Sequence, residues 1–136
     1  MFETTLHISA LLTASLLFGG MLFFSASFAA FLLKSLPPDE ARILIRKAFP
    51  SFYVFVMIAS LIAALLALAS SLFSASILAL IALSTLPTRQ ILMPAINAAT
   101  DAKLRRLFFV LHGLSVVITL IHIVAAGFVI VDLAAY

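Results

Sequence analysis

A chain of 136 residues that is 65% hydrophobic and only 10% charged is not an ordinary soluble globule. Its formal net charge of +3 comes from bases lying beside apolar stretches, which argues for membrane orientation and against nucleic acid as a partner. The absence of cysteine excludes disulfides, thiolate metal ligands and cysteine nucleophiles.

All eight bases fall in two clusters: Lys34, Arg42, Arg46 and Lys47, then Arg89, Lys103, Arg105 and Arg106. Almost uncharged sequence fills 6–33, 49–70, 72–86 and 107–131. A helical crossing takes about 20 apolar residues, so the pattern predicts four crossings. The expected fold is all-α: an integral membrane four-helix bundle with helices at about 5–33, 49–70, 72–93 and 107–131. Positive charge stays on the cytoplasmic side, which puts both basic loops inside and both termini outside a bacterial inner membrane.

The first stretch follows Glu3 with no preceding base and exceeds the length of a signal-peptide core, so it reads as a retained helix. Gly19-Gly20 within it reads as a close helix crossing. Pro37-Pro38 ends this helix, since proline lacks an amide donor and restrains the residue before it.

Asp39 and Glu40 open an amphipathic segment with Ile43, Leu44 and Ala48 toward lipid and Arg42, Arg46 and Lys47 toward headgroups. A short interfacial helix is expected here, with a cytoplasmic extension of the second helix as the alternative. The second crossing is expected to start at Phe49-Pro50, proline being tolerated in a first turn. Phe52, Tyr53 and Phe55 stand where an aromatic belt belongs. Ala59, Ala63, Ala67 and Ser71 form a small-residue face that suits packing inside the monomer or, alternatively, a homodimer seam.

An uncharged stretch at 70–76 predicts a tight outer hairpin. The third helix is expected to continue through Pro87 and Pro94 with kinks, and Asp101 and Arg105 have the spacing of a helical ion pair.

The fourth helix carries the main functional signal. His112, Ser115, Thr119 and His122 fall within an arc of about 80°, at about 100° per residue. A polar stripe in hydrocarbon faces protein or water, so it is expected to line the bundle interior. Three readings compete: interhelical hydrogen bonding, a ligand, proton or ion pathway, or a haem or transition-metal site. Nearer the cytoplasm, Arg89, Asn97 and Arg105 are candidates for a basic pocket with His112, suited to an anionic lipid headgroup.

His112 and His122 lie about 15 Å apart along one helix and cannot share a metal. His7 and His122 are the one histidine pair at comparable depth, and as metal ligands they would suit haem or copper. No phosphate loop, His-Glu-x-x-His pattern or serine elbow occurs, so an enzyme is not expected.

Several segments together carry a resemblance. They are Gly19-Gly20 with Phe23-Phe24, Leu33-Lys34-Ser35-Leu36-Pro37, Ala48-Phe49-Pro50-Ser51-Phe52-Tyr53, the run Arg89-Gln90-Ile91-Leu92-Met93-Pro94-Ala95-Ile96-Asn97, and Leu111-His112-Gly113-Leu114-Ser115. Over nearly the whole chain the sequence resembles the transmembrane protein 205-like family, which implies a small multi-span membrane protein with no established activity. It departs from that family at Ala30, where members often carry proline, and at Thr119 and His122, where they often carry amides. The leading expectation is a non-enzymatic membrane protein binding a small ligand, lipid or partner along the stripe. A haem- or metal-binding protein is the first alternative, and a small oligomeric transporter or channel the second.

Overall fold

Leu36 takes extended backbone, φ −122° and ψ 154°, because the ring of Pro37 bars its predecessor from helical geometry. That break separates the first two of four long helices in the computed structural model, which describes residues 1–135. Here α1 spans Phe2–Ser35, α2 Pro38–Ala67, α3 Leu72–Asp101 and α4 Arg105–Ala134. Each is long and apolar enough to cross a membrane, and no strand occurs among the described residues. At 30 to 34 residues each, they extend about 45–50 Å, beyond a hydrocarbon core of roughly 30 Å. Tilting or extension into the headgroup layers accommodates the excess.

α1 and α3 each pack against both α2 and α4, while diagonal partners scarcely meet. The result is a square of antiparallel neighbours. Lipid tails are as apolar as leucine, so close packing rather than the hydrophobic effect holds such a square. Small side chains allow it: Ala10 and Ala14 of α1, Ala59, Ala63 and Ala67 of α2, Ala75 of α3 and Ala126 of α4 are all buried. Leu17, Met21, Val56, Leu78, Val129 and Leu133 fill the remaining volume. The face of Ala59, Ala63, Ala67 and Ser71 is thus occupied within the monomer.

Gly20 marks a close approach. A methyl group added there would meet the ring of Phe55 at 2.6 Å, whereas Gly19 has open space around it.

Two helices widen locally into π-turns. In α1 the turn is Phe23–Phe28, where the Ala29 amide donates to the Phe24 carbonyl. Nearby, Phe24 stacks on Phe52 at 4.3 Å and meets Phe49 edge-on at 5.3 Å. In α3 the turn is Thr88–Leu92, with the Met93 amide on the Thr88 carbonyl. It lies between Pro87 and Pro94, whose missing donors already interrupt the ordinary ladder.

Four expectations need correction. No separate interfacial helix forms: residues 39–48 are the opening turns of a continuous α2, the alternative named above. Pro50 consequently lies inside that helix rather than in its first turn. Phe52 and Tyr53 do not form a headgroup belt but are buried, because the aromatic face of α2 meets α1. Asp101 ends α3 before Arg105 begins α4, so the two are not on one helix; Asp101 instead bonds Arg46 of α2.

Candidate functional site

The polar groups of this bundle sort into three levels along its axis. At the level of the α2–α3 turn, Ser71 has extended backbone and its Oγ accepts from the Ser74 amide at 3.1 Å, capping α3. Ser71 and Ser74 hydroxyls both donate to the Asp132 carboxylate of α4, at 2.6 and 2.7 Å. A carboxylate is disfavoured near its own helix C-terminus, but here it sits beside the N-terminus of α3, where the dipole has the favourable sign. Sequence reasoning missed this cluster. The signal was the pair Ser71-x-x-Ser74 just after a turn.

At mid-depth, His122 is buried and its Nε2 lies 2.8 Å from Ser84 Oγ on α3. The Ser84 hydroxyl also contacts the Leu80 carbonyl at 2.7 Å. With the hydroxyl hydrogen on that carbonyl, Nε2 is left to donate to Ser84, which assigns its tautomer from the network. Thr119 donates to the Ser115 carbonyl at 2.9 Å, and Ser115 to the His112 carbonyl at 2.8 Å. These two hydroxyls therefore satisfy themselves on their own helix. Likewise Ser60, Thr85 and Thr88 bond carbonyls one turn back, and no buried side-chain polar atom lacks a partner among the described residues.

The level of the α1–α2 and α3–α4 connections is different. Arg46 grips Asp101 through both terminal nitrogens, at 2.8 and 3.3 Å, and also reaches the Asn97 backbone carbonyl at 3.3 Å. Arg89 turns toward α2, its Nε donating to the Pro50 carbonyl at 3.4 Å. Arg105 lies over the Phe109 ring at 5.6 Å, and His112 stacks on Phe108 at 5.3 Å. Both Arg105 and His112 are exposed.

Placement of the expected site residues follows. Ser115 and His122 are buried and Thr119 half-buried, so the stripe from Ser115 to His122 faces the bundle. His112 does not share that environment. Arg89 and Asn97 join α3 to α2, while Arg105 stays on α4 away from that seam. His7 is half-buried on the opening turns of α1. Among the described residues no three His, Asp or Glu side chains converge as a metal would require. The haem or copper pairing of His7 with His122 gains no further ligand.

These observations define a multi-pass helical membrane protein with a packed interior and an exposed N-terminal portion of α4. Residues 12–105 match the family described as "Domain of unknown function (DUF4149)", and the chain belongs to it. No curated protein and no solved structure matches the chain.

Proposed function

We propose that this is a non-enzymatic polytopic protein of a bacterial inner membrane, basic loops cytoplasmic, that engages a small ligand, lipid or partner along the inner half of α4. One observation carries the reading: the two halves of that helix differ in how they are covered. Toward its C-terminus Ile123, Ala126, Val129 and Leu133 are buried by neighbouring helices. Toward its N-terminus Phe109, Val110, His112, Gly113 and Leu114 are all exposed. An imidazole on such a surface favours a polar partner, since unpaired polar groups are costly away from water. The stripe's outer residues are already hydrogen-bonded, which moves the site toward His112 and Arg105. The resemblance of the sequence to the transmembrane protein 205-like family is consistent with this reading but adds no activity.

Photocrosslinking in native membranes tests it. A benzophenone amino acid replaces His112, or Phe128, an exposed residue toward the C-terminus of α4, as a control. The proposal expects a discrete adduct from position 112 that is weak from position 128. Equal adducts, or none at 112, would overturn it. Because the chain has no cysteine, single cysteines replacing Glu3 and Lys103 give orientation by labelling with an impermeant maleimide. Labelling of position 3 alone from outside is expected; labelling of position 103 alone inverts the topology.

A further inference from the structure

We infer that the opening of α4 is an anionic phospholipid site, with the phosphate on Lys103, Arg105 and Arg106 and an acyl chain over Phe109 and Val110. This names the ligand class of the proposed α4 surface and rests on that reading.

The first ground is which charges are already used. Arg46 is paired with Asp101, Arg42 with Asp39, and Arg89 with a backbone carbonyl. Among the described residues no carboxylate pairs with Lys103, Arg105 or Arg106. The nearest acid in sequence, Asp101, is held by α2. Lys34 and Lys47 of the other cluster also have no carboxylate partner, but Lys103, Arg105 and Arg106 fall within four consecutive positions, so three uncompensated bases stand together here.

The second ground is the order of chemistry along the helix. Arg105 and Arg106 stand one turn before Phe109 and Val110, which are 57% and 63% exposed. One turn of helix is about 5.4 Å along the axis, roughly the step from phosphate to the start of the acyl chains. Arg105, Arg106, Phe109 and Val110 line a shallow hollow that continues past Leu107 to Lys103. Bases at the headgroup and open apolar surface just beneath match a phospholipid standing in its leaflet. An acidic peptide or free anion would use the bases and leave the apolar half uncovered.

The third ground is Lys103 itself. It holds φ 55°, the one left-handed non-glycine residue among those described. The turn is the usual helix terminator, with the Leu104 amide on the Ala99 carbonyl at 2.9 Å and the Lys103 amide on Thr100 at 3.1 Å. Glycine is the favoured residue there, so a lysine trades backbone comfort for a charge at this point.

Native mass spectrometry of the full-length protein in detergent tests the site, using phosphatidylglycerol against phosphatidylcholine of the same acyl chains. Retention of phosphatidylglycerol is expected to fall at least about tenfold in the triple variant K103Q/R105Q/R106Q, since each juxtamembrane base contributes several-fold. The variant K34Q/R42Q/K47Q, which removes as much charge from the other loop, is expected to keep it. R105K/R106K is expected to restore most of it, and circular dichroism melts confirm that each variant is folded. Equal loss in both triple variants would reduce the effect to general charge and overturn the site. Displacement by inorganic phosphate as readily as by phosphatidylglycerol would remove the acyl chain's part and also overturn it. A non-lipid adduct from position 112 without phosphatidylglycerol selectivity would sink the lipid inference alone. Lack of any adduct there would sink the broader reading.

Discussion

Arg46 of α2 holds Asp101 at the end of α3 in a two-point grip, 2.8 and 3.3 Å, across 55 residues of sequence. Its third contact, to the Asn97 carbonyl, fixes the same arginine to the preceding turn of α3. The side chains are 42% and 65% exposed, so the pair is screened and its worth is modest. We expect Arg46→Ala and Asp101→Ala to show a coupling of about 0.2–1 kcal/mol in a double-mutant cycle, shrinking as salt is raised. Thermal denaturation in detergent at two salt concentrations measures it; strict additivity would mean the pair contributes no stability.

Ser71 does two tasks, capping α3 and donating to Asp132 of α4. Ser71→Ala is therefore expected to destabilise by about 0.5–2 kcal/mol from the lost cap, with further weakening from the lost carboxylate bond. Asp132→Ala removes the acceptor but keeps the cap, so it isolates the second effect. Melting curves of both variants and of their combination check this. If Asp132→Ala changes nothing, the carboxylate contacts do not stabilise the fold.

His122 and Ser84 join α4 to α3 at 2.8 Å. Interhelical hydrogen bonds in membranes average about 0.6 kcal/mol, because the separated helices find other partners. Ser84→Ala should cost about 0.5–1.5 kcal/mol, and His122→Leu should abolish its effect when the two are combined. Unfolding in graded denaturing detergent gives the cycle. Independent effects would show that the two side chains do not act together.

Adjacent glycines of α1 are expected to respond oppositely. Gly19→Ala meets open space and should stabilise by up to about 1 kcal/mol through helix propensity. Gly20→Ala would drive a methyl into the Phe55 ring, and overpacking of about 1–3 kcal/mol outweighs the same propensity gain. Combining Gly20→Ala with Phe55→Leu should recover part of the loss. Indistinguishable melts for the two alanine variants would remove the close crossing.

Lys103→Gly should relieve a left-handed residue and raise stability by about 1 kcal/mol. The same variant should weaken phosphatidylglycerol retention, so stability and binding move in opposite directions. A loss of stability instead would show that the lysine side chain, not its backbone, matters to the fold.

The crossings were legible because hydropathy is a sum over neighbours in sequence. Four apolar stretches and the Pro37-Pro38 break correspond to the four long helices of this chain. The exceptions are instructive. Charged residues 39–48 read as a separate element, yet helix hydrogen bonding runs on through Pro50, which removes one donor without ending the helix. The third helix reaches Asp101 by absorbing two prolines around a π-turn. Periodicity also brought out the stripe on α4, but it could not say how far the neighbouring helices cover it.

What sequence alone determined is therefore the class of molecule: an all-helical chain with four stretches long and apolar enough to cross a membrane, belonging to a family without an assigned activity. Tertiary structure decided the partners. Ser84 with His122, Ser71 with Asp132 and Arg46 with Asp101 are 38, 61 and 55 residues apart in sequence. Such pairs depend on how each helix is rotated against the next, and that rotation is set by the packing of Ala10, Ala63, Ala126 and their neighbours. The same packing concentrates burial of α4 from Ser115 onward, at Ser115, His122, Ile123, Ala126, Val129 and Leu133, whereas residues 105–114 are exposed or half-buried.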